Sequence, residues 1–266
     1  MEEAIYITNL KFLGHISDKY TRVYFGNEFC ERLCPSLEDL REISIFCKKK
    51  GLNLTFVTPF LTNEGIKKWG IIVDAVLKES PNTEIVVNDI GFFRLLKEKY
   101  GIIRFVWGRL LVKQKRGPRI LNVWKRLPHS AQDHFMRASS DSGQVRSFLA
   151  DNCIQRVELD NLVQGIIRDR STVKGSLYYP FGYLTTTRFC LLASGETVCR
   201  NSYLKNLRSI KVCNLECQKY EFKLTTKDMP QEIYLKGNTQ FFKNEKFPNL
   251  KENNIDRLVY QPSLPV

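Results

Sequence analysis

Between residues 21 and 107, β-branched and aromatic runs alternate with helical patterns at a spacing that leaves few folds open. Thr21 to Phe25 reads as a strand stopping at Gly26. Ser36, with Asp39 three residues on, is a helix N-cap with an imperfect capping box, and the spacing predicts a helix to about Lys50, closed by Gly51. Leu54 to Thr58 predicts a second strand. Asn63 is expected to cap a helix running to about Glu79, which Pro81 and Asn82 end. Glu84 to Val87 predicts a buried strand, Phe92 to Tyr100 a helix closed by Gly101, and Ile102 to Trp107 a fourth strand. Strands alternating with helices in this way indicate right-handed βαβ units around a parallel sheet.

The alternation then weakens. Residues 111–141 are polar and basic, with Pro118 and Pro128, and read as a long functional loop. A helix about Gln144–Asn152, a strand Gln155–Leu159 and a strand Ser176–Pro180 resume the pattern. Tyr220–Thr226 and Ile233–Leu235 alternate as short antiparallel strands. The expected fold class is therefore α/β, a TIM-like (β/α) barrel, incomplete or distorted, formed as one domain over residues 1–266. Residues 1–180 would supply the βα units, 181–220 a cysteine-rich segment, and 221–266 a C-terminal tail packing on the barrel. Chemistry in such barrels sits at the C-terminal ends of the strands. Cys30 follows the strand at 21–25, and Asn88-Asp89 follow the strand at 84–87, so both should face one rim.

Bulk properties narrow the function classes. The chain has 266 residues, 43% of them apolar and 26% charged. No run reaches the roughly 18 apolar residues of a membrane span. The start, Met1-Glu2-Glu3-Ala4, lacks the basic region and apolar stretch of a secretory signal, so the expected location is the cytoplasm. The formal charge of +13 is concentrated. Arg104, Arg109, Lys113, Lys115, Arg116, Arg119, Lys125 and Arg126 are interrupted by no acid, and Trp107 and Trp124 lie among them. Such a stretch suits a phosphate-rich partner, an acidic protein or a solvated loop. Arg109, just past the strand ending at Trp107, is a candidate to grip a carboxylate or phosphate in bidentate fashion. Asn88 and Asp89 are candidate substrate-positioning groups, or simply loop-start residues.

Eight cysteines are many for a reducing compartment, where they point to metal or redox chemistry rather than staples. Cys213 and Cys217 form a C-x3-C pair, Cys190 opens the same segment, and Cys30 lies far upstream. Four soft thiolates complete either an iron–sulphur cluster or a tetrahedral zinc site. Cys47 and Cys153 sit in apolar helical surroundings and are expected to be buried thiols. Cys34 and Cys199 are reserve ligands.

Several stretches resemble the collagenase-like peptidase family U-32: Val23-Tyr24-Phe25-Gly26-Asn27-Glu28-Phe29-Cys30, Val87-Asn88-Asp89-Ile90-Gly91, and Gly108-Arg109-Leu110-Leu111 with Lys113-Gln114-Lys115-Arg116. Gly182-Tyr183-Leu184, Arg188-Phe189-Cys190 and Cys213-x3-Cys217 continue the likeness, which spans residues 20–220. The resemblance implies a TIM-like barrel. It further implies a role like that of the members that are iron–sulphur proteins in oxygen-independent hydroxylation of ubiquinone precursors or of RNA bases. In the nearest cysteine pattern, Cys30, Cys190, Cys213 and Cys217 would hold a 4Fe–4S cluster, with zinc as the alternative. A homologous partner subunit in a heterodimer and a small-molecule or RNA substrate follow from the same likeness. Members proposed as peptidases carry an acid, an aromatic, His-Gly and an early cysteine, where this chain has Leu177, Tyr179, Phe181-Gly182 and Thr185. His15, His129 and His134 lie elsewhere, so no nucleophile with an adjacent base is visible, which argues against proteolysis.

Overall fold

The computed structural model describes residues 1–101, 103–169, 173–188, 190–194 and 213–266. Its strands, in chain order, are β1 (Glu2–Ile7), β2 (Arg22–Gly26), β3 (Asn53–Val57), β4 (Glu84–Val87), β5 (Phe105–Trp107), β6 (Arg156–Asp160), β7 (Lys174–Tyr179), β8 (Phe181–Thr186), β9 (Phe222–Leu224), β10 (Ile233–Lys236), β11 (Thr239–Lys243) and β12 (Ile255–Tyr260). Eight of them close a parallel barrel in the order β1-β12-β7-β6-β5-β4-β3-β2. The other four form an antiparallel sheet, β8-β11-β10-β9, inserted between β7 and β12. No helix among the described residues is long and apolar enough to cross a membrane.

Period-2 alternation explains the barrel wall. Ala4, Tyr6, Tyr24, Val57, Val86, Val106, Tyr178 and Val259 form one buried cluster inside the barrel. Their neighbours Ile5, Val23, Phe25, Phe56, Ile85, Val87, Trp107 and Leu177 join the larger core beneath the helices. Burial on both faces is why these strands read as nearly unbroken apolar runs.

Helix α1 (Leu37–Lys50) begins at Ser36 with a complete capping box to Asp39 and ends at Gly51 in the left-handed conformation. Helix α2 (Asn63–Glu79) is capped one residue earlier than expected: Thr62, not Asn63, is the N-cap, and its side chain accepts from Gly65 N. Helix α3 (Ile90–Tyr100) is capped by Asp89. Residues 111–141, expected as loop, carry short helical turns and helix α4 (His129–Met136), and helix α5 (Gly143–Asp151) then leads into β6.

The structure corrects several expectations. The strand at 22–26 is the second of the barrel, because Glu2–Ile7 pairs with it in parallel. Residues 221–266 do more than pack on the barrel, since β12 within them closes it between β1 and β7. Cys153 is exposed rather than buried, because it stands in the turn that leaves α5, where it takes a positive φ of 56° and Ile154 beside it enters the core. Cys47 is buried as expected. Ile102 and Cys199 lie outside the described residues.

Candidate metal centre

Cys30 stands on the loop leaving the C-terminal end of β2. Gly26 opens that loop with φ 126°, and a side chain there would press within 2.3 Å of Val57 O. The buried Asn27 then folds the loop, its Oδ1 accepting from Phe29 N (3.1 Å) and Cys30 N (2.9 Å). Leu33 N donates to Cys30 O at 3.2 Å, which closes a turn at the cysteine.

Next to Asn27, the fully buried Glu28 anchors the loop to the barrel. Arg109 Nη2 meets Glu28 Oε2 at 2.6 Å, and its Nη1 meets Asp160 Oδ1 at 2.8 Å. Arg116 Nε closes on Asp160 Oδ2 at 2.5 Å and its Nη2 donates to the carbonyls of Arg109 and Val112. The Arg109 guanidinium lies 3.9 Å over the Tyr178 ring. Two carboxylates and two guanidinium groups thus balance in a buried site. Burial pushes the Glu28 carboxyl up, and Arg109 pulls against it. A network of this kind specifies position more than it adds stability.

Cys190 follows β8, and Cys217 lies on the helical turn Glu216–Gln218, which is entered through Leu215 at φ 59°. These two, Cys30 and Cys213 all line one cavity of about 470 Å³ at the mouth of the barrel. Burial pushes the Cys30 thiol up to about 11, with smaller upward contributions from Cys217 and Cys190. Burial likewise raises Cys217, with Cys190 and Cys213 adding to the effect. Cys34 lines a separate, smaller cavity.

Among the described residues, no three His, Cys, Asp or Glu side chains converge as a single ion requires. A tetrahedral zinc with Zn–S of about 2.3 Å needs its sulphurs roughly 3.8 Å apart. Thiolates are the ligands that iron–sulphur clusters take, and four cysteines are among the residues lining this cavity.

A second cavity of about 500 Å³ shares Phe60, Thr187 and Arg188 with the first. Lys113 and Arg116 also line it, and no carboxylate does among the described residues.

The other residues singled out from sequence are placed differently. Asn88 lines the second cavity, but its Nδ2 donates to Thr58 O (2.8 Å) and its Oδ1 accepts from Leu110 N (2.9 Å). Asp89 caps α3 through Phe92 N and also accepts from Leu61 N. Arg109 has no exposed surface. The basic stretch is thinner outside than its sequence suggests, because Arg109 and Arg116 are spent internally and Trp107 packs on Phe93 and Phe148. No histidine is among the residues lining either cavity. Sequence reasoning missed Asn27, Glu28, Asp160 and Asn238. The only local hint was polar residues directly after a strand.

No family model matches the chain, and no curated protein matches it. Among solved structures, that of the U32 peptidase Mk0906 is similar at a TM-score of 0.46 and 11% identity, covering 100% of this chain and 94% of that one. A similarity of that size says nothing about what this chain binds or does.

Proposed function

We propose that this chain is an iron–sulphur protein in which Cys30, Cys190, Cys213 and Cys217 hold a 4Fe–4S cluster. The observation that carries the reading is that thiols from opposite ends of the sequence line one cavity at the C-terminal mouth of the barrel. Thiolate is the ligand such clusters take, and burial and hydrogen bonds to sulphur set the potential. When bound, a cluster with four protein ligands supplies one-electron transfer, since no iron is left open to substrate. The chain's own part is to hold the thiols on pinned loops and to wall the cavity with Phe29 and Phe60 against water. The adjoining cavity offers Lys113 and Arg188 to a substrate with an anionic group.

The process it serves is an oxygen-independent hydroxylation or a related modification, as with the ubiquinone-biosynthesis protein UbiV that the cysteine pattern resembles, together with a homologous partner subunit. Cytoplasmic location accords with thiols kept free for metal. Anaerobically purified protein should be brown and carry iron with acid-labile sulphide. Colourless protein holding one zinc per chain would overturn the reading.

A second reading, RNA as the substrate, is favoured by exposed Arg119, Lys125 and Arg126 around Trp124 on the β5–β6 connection. RNA that co-purifies and is released steeply with salt would support it. A peptidase reading has no histidine in either cavity behind it, and hydrolysis of casein abolished by a point substitution would revive it.

A further inference from the structure

The turn between β10 and β11, residues Gly237 and Asn238, touches the chain at or beside three of the four cysteines although it carries no ligand itself. Asn238 is buried, and both hydrogens of its amide are used. Nδ2 donates to Phe29 O at 2.7 Å, one residue before Cys30, and to Thr187 O at 2.6 Å, three residues before Cys190. Thr187 N returns a bond to Asn238 O at 3.2 Å, extending the β8–β11 ladder toward Cys190. The Asn238 Oδ1 is occupied by Thr239 Oγ1 at 3.1 Å, which fixes the amide's orientation. Gly237, at φ 59°, lies under Cys217: a Cβ on it would come within 3.1 Å of Cys217 Cβ and 2.9 Å of Val266.

We propose that Asn238 is a positioning residue whose amide ties the Cys30 loop to the Cys190 segment, while Gly237 seats Cys217 against them. The spacing of the thiols around the cavity is thereby set by the protein before any metal arrives. A carboxylate offers no donor to the two carbonyls, and a longer amide would carry its nitrogen one methylene away from the position that meets both. The purpose of this clamp rests on the cluster reading above, whereas its geometry does not.

The test uses the full-length apo chain under anaerobic, reduced conditions. A short bifunctional thiol reagent is added, and bridges are assigned by mass spectrometry after digestion. In the wild-type chain Cys30 should bridge to Cys190, and its failure to do so would overturn the proposal. In Asn238→Ala and in Asn238→Asp that bridge should form about tenfold more slowly or worse, as expected for losing two hydrogen bonds. The Cys213–Cys217 bridge, made within one short segment, should keep its rate and serves as the internal control. Asn238→Ser, which retains one donor, should fall between. Circular dichroism and the midpoint of urea unfolding establish that each variant is folded. Gly237→Ala gives a second approach, with Cys217 displaced and its bridges to Cys30 slowed. After reconstitution with iron and sulphide, the Asn238 variants should show an altered visible and paramagnetic spectrum.

Equal Cys30–Cys190 bridging in folded Asn238→Ala and wild type would overturn the clamp and leave the cluster reading standing. A wild-type chain that bridges Cys30 to Cys190 but takes up no iron would do the reverse.

Discussion

Replacing Glu158 by Gln should stabilise the protein at pH 8 and leave it nearly unchanged at pH 4. Glu158 points into the barrel from β6 and has no exposed surface. Its Oε1 accepts from Tyr24 Oη at 3.1 Å, while its Oε2 has no partner. Burial pushes the carboxyl up to about 7, against the pull of Arg257 and Arg156. A folded-state value above the unfolded one means that Glu158 favours the folded state fully below the ordinary value of 4.5. That advantage is lost as pH rises toward about 7. At about 1.4 kcal/mol per pH unit, the loss by pH 8 is about 3 kcal/mol. Glutamine keeps the acceptor for Tyr24 and never ionises, so it escapes the loss. Urea unfolding of both proteins at pH 4 and pH 8 measures it as a difference of differences, in which the other titrating groups cancel. A gap between variant and wild type that stays flat across that range would refute the reasoning, as would a variant less stable at pH 8 than at pH 4 relative to wild type.

Other consequences are simpler. Arg109→Gln leaves Glu28 buried without its counter-charge and should cost about 3–5 kcal/mol in urea unfolding, more at pH 8 than at pH 5. At the opposite end of the barrel, burial alone would raise Glu84. Hydrogen bonds and charge from Arg257, with Arg22 adding to them, instead hold the carboxyl down at about 2. Its stabilising share, about 3 kcal/mol, is present above pH 4.5 and should vanish as pH falls toward 2, so acid unfolding of Glu84→Gln should show a shallower limb. Ser36→Ala removes the acceptor for Asp39 N at 3.0 Å and should lower stability by about 1 kcal/mol without changing metal content.

What was legible in the sequence followed from local rules, and what was hidden depended on distant partners. The ends of α1 could be read because Ser36, Asp39 and Gly51 act on neighbouring backbone. Strands β1 and β12 escaped because Glu2, Asp256 and Arg257 break their apolar patterns. Their charges are met by other strands, with Arg257 Nε 2.6 Å from Glu2 Oε2 on the paired strand and Asp256 met by Arg156 and Lys174. Arg109 looked like an exposed anion grip for the same reason, since Glu28 on the loop after β2 and Asp160 at the end of β6, which pair with it, are distant in sequence. The cysteines stood out because thiolates are few and chemically distinctive. Asn238 did not, because a Gly-Asn turn is common and only folding brings it against Phe29 and Thr187.

Cys30 separates a shared metal centre from a local one, because the other three cysteines lie in a single segment and could bind metal without the rest of the fold. The decisive measurement is iron and acid-labile sulphide per chain in anaerobically reconstituted Cys30→Ser beside wild type. The wild-type chain should hold about four of each, and the variant should lose most of both together with the visible absorption. A variant that keeps the full wild-type content and spectrum would contradict a centre built across the barrel mouth.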